Sequence, residues 1–159
     1  MTDVNGAEPA NMDIFNFVAR EIFVQLYENF PNPTTISRQR LAEKILGDER
    51  YWRAEDLREE GSRTETVEGD RYKRIARNSI EWLPQHRFII QEHEQEYRLS
   101  PKAFEVLDAT PTSLRTDEAK PLGKQLASAT ATVGDRATTA VISEMVGQVI
   151  GAAARSLFS

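Results

Sequence analysis

The chain has 159 residues, 40% of them hydrophobic and 28% charged, with a formal net charge of −5 and no cysteine. That length suits one domain with a sizeable core plus an appendage. Without thiols there is no disulfide framework, thiolate metal site or cysteine nucleophile, and the acidic balance argues against an indiscriminate nucleic-acid binder, which needs a basic footprint.

Residues 1–11 include Asn5, Gly6, Pro9 and Asn11 with little to bury, and are expected to form a flexible leader. They show no basic region followed by an apolar run, so a secretory signal is not expected. Asp13 is the expected cap of a helix over residues 14–30, where Ile14, Phe15, Val18, Ala19, Ile22, Leu26 and Phe30 share a stripe. Phe17 and Val24 lie on nearly the opposite side at roughly 100° per residue. A helix apolar on two sides needs two partners, one being the domain core and the other a further segment or subunit.

Pro31-Asn32-Pro33 breaks that helix, and Thr34-Thr35-Ile36 offers a short strand. Ser37 caps a helix over 38–46, with Leu41, Ala42, Ile45 and Leu46 inward and Gly47 as its stop. Residues 48–70 read as an insertion: a short helix anchored by Tyr51, Trp52 and Leu57 and closed by Gly61, then a mobile polar loop over 62–70. Its mixed charges fit a solvated face, or alternatively a partner-binding excursion with Tyr51 and Trp52 exposed as anchors.

The residues Tyr72, Ile75, Ala76, Ser79, Ile80 and Leu83 predict a helix over 72–83 that Pro84 ends. Two β-prone runs, 87–91 and 96–99, flank the polar His93-Glu94-Gln95 and fit a hairpin. Ser100 as N-cap and Pro101 at the first helical position open a further helix with Phe104 and Leu107 inward.

Residues 110–121 read as a linker. Beyond it, Leu122, Leu126, Ala129 and Val133 share helical spacing up to a break near Gly134. From 137 to 158 the residues Ile142, Met145, Val146, Val149, Ile150, Ala153 and Leu157 fall within an arc of roughly 140°, opposite Glu144, Gln148 and Arg155, an amphipathic helix. It has three readings: packing on its own domain or in a homodimer, binding a separate protein, or lying on a membrane. The last lacks the lysine and tryptophan clusters of interfacial helices.

The run Ile80-Glu81-Trp82-Leu83, Phe88-Ile89 and Tyr97-Arg98-Leu99-Ser100-Pro101 resembles the winged-helix superfamily, whose members tend to show an Ile-x-x-Leu helix end, a Phe-Ile strand and a Tyr-x-Leu-Ser/Thr-Pro-x-Gly return strand. Ala103 stands where a glycine is common. The resemblance spans about residues 13–108 and implies a fold more than a job. The expected architecture is mainly α with a small β-hairpin. A winged-helix domain at 12–109, with its insertion at 48–70, is followed by a C-terminal amphipathic helical region at 122–159.

For DNA binding, Lys73, Arg74 and Arg77 lie on the exposed side of the 72–83 helix, in the position of a recognition helix, with Asn78 at its edge for adenine. Arg38 and Arg40 on the preceding helix add backbone contacts. Against this stand Glu81 on the same face and the acidic hairpin 92–96, where phosphates meet carboxylates. Enzyme readings are weak. His86 and His93 have no HExxH spacing, and there is no P-loop or nucleophile elbow, so no catalytic residue, metal site or cofactor is expected. The Gly147-x-x-x-Gly151 pair falls off the apolar stripe, which disfavours a glycine-mediated transmembrane dimer.

The leading expectation is therefore a cytoplasmic, non-enzymatic DNA-binding regulator of transcription. It would bind double-stranded DNA and form a homodimer, or engage a protein partner, through Phe17, Val24, Ile142, Met145, Val146, Val149, Ile150 and Leu157. The rivals are a winged-helix protein-interaction or assembly module that does not bind DNA, and a membrane-active effector acting through the C-terminal helix. Continuity of positive charge across Lys73, Arg74, Arg77 and the hairpin separates the first two.

Overall fold

The computed structural model describes residues 9–53, 63–109, 120–129 and 136–158, with residues 156–158 described by backbone alone. Seven helices and a small three-stranded antiparallel sheet make up these parts. In chain order they are α1 (Asn11–Asn29), β1 (Thr34–Thr35), α2 (Arg38–Leu46), α3 (Asp48–Tyr51), α4 (Val67–Gln85), β2 (Ile89–His93), β3 (Glu96–Leu99), α5 (Pro101–Asp108), α6 (Leu122–Ser128) and α7 (Arg136–Phe158).

Helix α1 is the axis. Ile14, Phe17, Val18, Ala19, Ile22, Phe23 and Leu26 are fully buried, and Asn16, Arg20, Glu21 and Val24 nearly so. Burial on this scale requires neighbours on every side. Helices α2 and α4 and the sheet cover one side, and α6 and α7 cover the other. The helix starts earlier than its apolar spacing indicated: Asp13 lies inside the first turn, where its carboxylate accepts from the Ala10 N–H at 3.1 Å.

The sheet order is β1-β3-β2. Thr34 pairs with Tyr97 and Thr35 with Glu96, while Ile89 faces Leu99 and Ile90 faces Arg98. A bulge between Gln91 and His93 and a positive φ of 66° at Gln95 turn the hairpin. Strand β2 begins two residues after the sequence run expected for it, because Arg87, at φ 64°, is part of the turn after α4.

The largest departure lies before α4. Residues 63–70 do not form a loose polar loop. Glu65 bridges to Trp52, the Thr66 hydroxyl donates to the Arg50 and Tyr51 carbonyls, and the same oxygen accepts from the Gly69 N–H at 2.9 Å. Thr66 is thus the N-cap, and α4 begins at Val67, five residues before the expected Tyr72. Gly69 is required here: a Cβ on it would stand 2.7 Å from the Tyr51 carbonyl oxygen. Pro84 lies within the last turn of α4 rather than ending it. The expected helix stop at Gly61 falls at 54–62, outside the described residues.

The C-terminal helices are part of the same core. Leu122, Leu126, Ile142, Val146, Val149 and Ala153 belong to one hydrophobic cluster with the α1, α2 and α4 side chains. Asn16 donates to the Ser143 hydroxyl at 3.1 Å, and Ile150 lies beside Asn11 and Met12, so α7 runs antiparallel to α1. Gly123 lets α6 come up against Tyr27, whose ring a Cβ would meet at 2.7 Å. Residues 136–155 are long and apolar enough to cross a membrane by length and composition, and 22% of the stretch is buried here.

Candidate interaction surfaces

The surfaces expected to hold a second subunit are internal. Phe17 and Val24 are buried in the same hydrophobic cluster as Ile142, Val146 and Val149 of α7, which packs on α1. Met145 and Ile150 are half-buried at the edge of the same cluster. The side chain of Leu157 lies outside the described residues. The surplus apolar side of α1 and the apolar row of α7 therefore cover each other within one chain, and neither is presented as a dimer face.

A buried polar tie fixes this packing, and apolar periodicity gave no sign of it. Arg20, 3% exposed, reaches across to the end of α6 and donates to the Leu126 oxygen at 2.9 and 2.7 Å, to Ala127 at 3.1 Å and to Ala129 at 2.6 Å. Those carbonyls lie at the C-terminal end of α6, the negative end of its dipole, where among the described residues the Leu126 oxygen has only the Ala129 N–H at 3.2 Å as a backbone donor. Glu21, 1% exposed, balances the guanidinium at 2.9 Å and also accepts from Lys44 at 2.5 Å. A charged pair in an otherwise apolar run is the available signal, since buried charge needs partners.

Tyr51 and Trp52 are not exposed anchors. Tyr51 is fully buried and Trp52 nearly so, with their rings edge to face at 4.8 Å. The Tyr51 hydroxyl donates to Glu65 at 2.6 Å, and Lys73 donates to the other oxygen at 2.6 Å. Burial and the facing carboxylate push the Tyr51 hydroxyl well above its ordinary range. Burial alone would raise the Glu65 carboxyl, but the hydrogen bonds from Lys73 and Tyr51 outweigh it and hold it below the usual value.

The residues expected to touch nucleic acid divide into groups. Arg38, Lys73, Arg74 and Arg77, with Asp70, line a hollow of about 270 Å³ between α2 and α4. Next to it, a groove of about 520 Å³ between α4 and the hairpin is lined by Arg38, Gln39, Arg77, Glu81, Glu94 and Tyr97 among others. Arg40 is exposed on α2 and lines neither hollow. Asn78 lies on another side of α4, in a cleft with Met12, Phe15, Ile75, Trp82 and Ile150.

Charge on this surface is interleaved. Along α4 the exposed row reads Asp70, Arg74, Arg77, Glu81. Lys73 is held by Glu65, and Arg74 pairs with Asp70 at 3.2 Å. Across the groove stands Glu94, and in the hairpin Glu92 pairs with Arg98. Burial and the charge of Glu81 raise the Tyr97 hydroxyl. Arg38 and Arg77 are the lining cations that have no ion pair among the described residues.

The cleft that holds Asn78 is a different kind of surface. It measures about 590 Å³ between α1, α4 and α7, and its lining is mostly apolar, with Met12 64% exposed. Trp82 forms one wall, half-buried, edge to face with Phe15 at 5.4 Å, stacked on Phe88 and tilted against His86. Trp82 thus packs against α1 and is half-buried rather than enclosed.

Comparison of the chain with protein-family models, with curated proteins and with solved structures finds no match.

Proposed function

We propose that the chain is a winged-helix domain that works as a non-enzymatic protein-interaction module, and not as a DNA-binding regulator. The winged-helix reading is supported by element order: α1, β1, α2 and α4 are followed by a hairpin whose return strand pairs with β1. In that arrangement α4 takes the place of the recognition helix and the hairpin that of the wing.

The charge on α4 favours the protein-interaction reading. A protein holding duplex DNA neutralises on the order of 6 to 10 phosphates. Here the linings of the two hollows hold four cations, Arg38, Lys73, Arg74 and Arg77, against three carboxylates, Asp70, Glu81 and Glu94. Asp70 and Glu81 stand eleven residues apart, about 16 Å along the helix, with the arginine pair between them. A phosphate track laid over this row meets repulsion at both ends within about two screening lengths at physiological salt. A protein surface, with both signs of charge to offer, meets no such penalty. The apolar cleft beside Trp82 adds an aromatic wall of the kind protein partners use.

The test is a mobility-shift titration of random-sequence duplex at about 50 mM salt, where any basic footprint is strongest. The expected result is no shift at micromolar chain. A salt-sensitive shift lost in Arg74→Ala/Arg77→Ala would overturn the reading in favour of DNA binding.

A further inference from the structure

The hollow between α2 and α4 has a built wall and an open mouth. Lys73 forms the wall, its side chain 25% exposed and fixed to Glu65, which Tyr51 holds from behind. The other lining cations are Arg38 in the first turn of α2 and Arg77, both exposed and without an ion pair among the described residues, and Arg74, in an exposed pairing to Asp70. About 270 Å³ of space separates these side chains.

We propose that this hollow is the docking site for a carboxylate-rich segment of a protein partner, an inference that rests on the protein-interaction reading above. Arginine presents a planar fork that takes a carboxylate through two parallel hydrogen bonds, and two exposed arginines lining one hollow suit neighbouring acidic residues. The extent of the positive surface matches such a ligand. Arg74 and Arg77 are three residues apart, about 4.5 Å along α4, and Asp70 and Glu81 bound them on either side. That length serves one or two carboxylates and is too short for a run of phosphates. The chain's net charge of −5 repels any anion at long range. An acidic segment that binds must therefore do so through this local cluster.

Fluorescence anisotropy with labelled hexaglutamate as the probe, on the full chain at about 0.1 M salt, tests the site. The expected result is saturable binding that weakens at least about tenfold in Arg38→Ala/Arg77→Ala and is partly retained in Arg38→Lys/Arg77→Lys. Both positions are exposed, and an unchanged thermal melt shows that the variants fold. Absence of hexaglutamate binding, or equal binding by the alanine variant, overturns this site. If the duplex then also fails to bind, the protein-interaction reading is untouched. A duplex that displaces the peptide and binds more tightly overturns both. Self-association by light scattering, lost in the alanine variant without peptide, replaces the acidic partner with a second copy of the chain.

Discussion

Arg20 ties α1 to the end of α6 through its side chain. Its guanidinium terminates α6 and neutralises Glu21 in a place that water does not reach. Removing one partner of a buried pair leaves the other uncompensated, at a cost of about 3 to 5 kcal/mol. Arg20→Ala is expected to lose stability of that order in urea unfolding, and a loss under about 1 kcal/mol would mean that α6 does not depend on it. Glu65 gives a second expectation at this scale. Its folded carboxyl lies below the ordinary 4.5, so the stability it contributes is present above that value and fades as pH falls through the lower folded one. Glu65→Gln should be less stable at neutral pH and show a flatter stability curve on the acid side. Equal acid slopes for the two chains would show that Glu65 is not specially held.

At the scale of elements, α4 presents two sides of different chemistry, the charged row from Asp70 to Glu81 and the apolar wall of Ile75 and Trp82. Because Trp82 is half-buried, its truncation should cost less than a full core aromatic: Trp82→Ala is expected to lower stability by about 1.5 to 3 kcal/mol in denaturant titration. A cost near 5 kcal/mol would place the ring wholly inside. Much of the element pattern was legible in the sequence. Ser37 and Gly47 bracket α2, Ser100 and Pro101 open α5, and the hairpin lies close to its β-prone runs, because caps, turns and alternation are local signals. What escaped was non-local. The N-terminal turns of α4 contain Val67, Glu68 and Asp70, which look like loop until Tyr51 and Thr66 tie them down. Arg20 looks like a solvated residue until α6, a hundred residues later, ends on it. The alternative with Tyr51 and Trp52 exposed stayed open in the sequence because nothing adjacent reveals that Glu65 closes over them. At the candidate site, residue types were legible and charge balance was not: Lys73, Arg74 and Arg77 read as a basic face until Glu65 and Asp70 are placed beside them.

For the whole molecule, the decisive feature is that α1 is enclosed on all sides by one chain. The functional reading depends on this. With α7 packed on α1, the two hollows and the cleft beside α4 stay open, and with α7 detached, the apolar rows of α1 and α7 would be uncovered as well. Native-state hydrogen exchange tests the point most directly, since amides in one cooperative core open together, with free energies close to that of global unfolding. The account predicts that the amides of Phe17 to Val24 and of Ile142 to Val149 exchange with matching, near-global protection, and that Arg20→Ala lowers both by the same amount. Protection confined to α1, with α7 exchanging orders of magnitude faster, would contradict it.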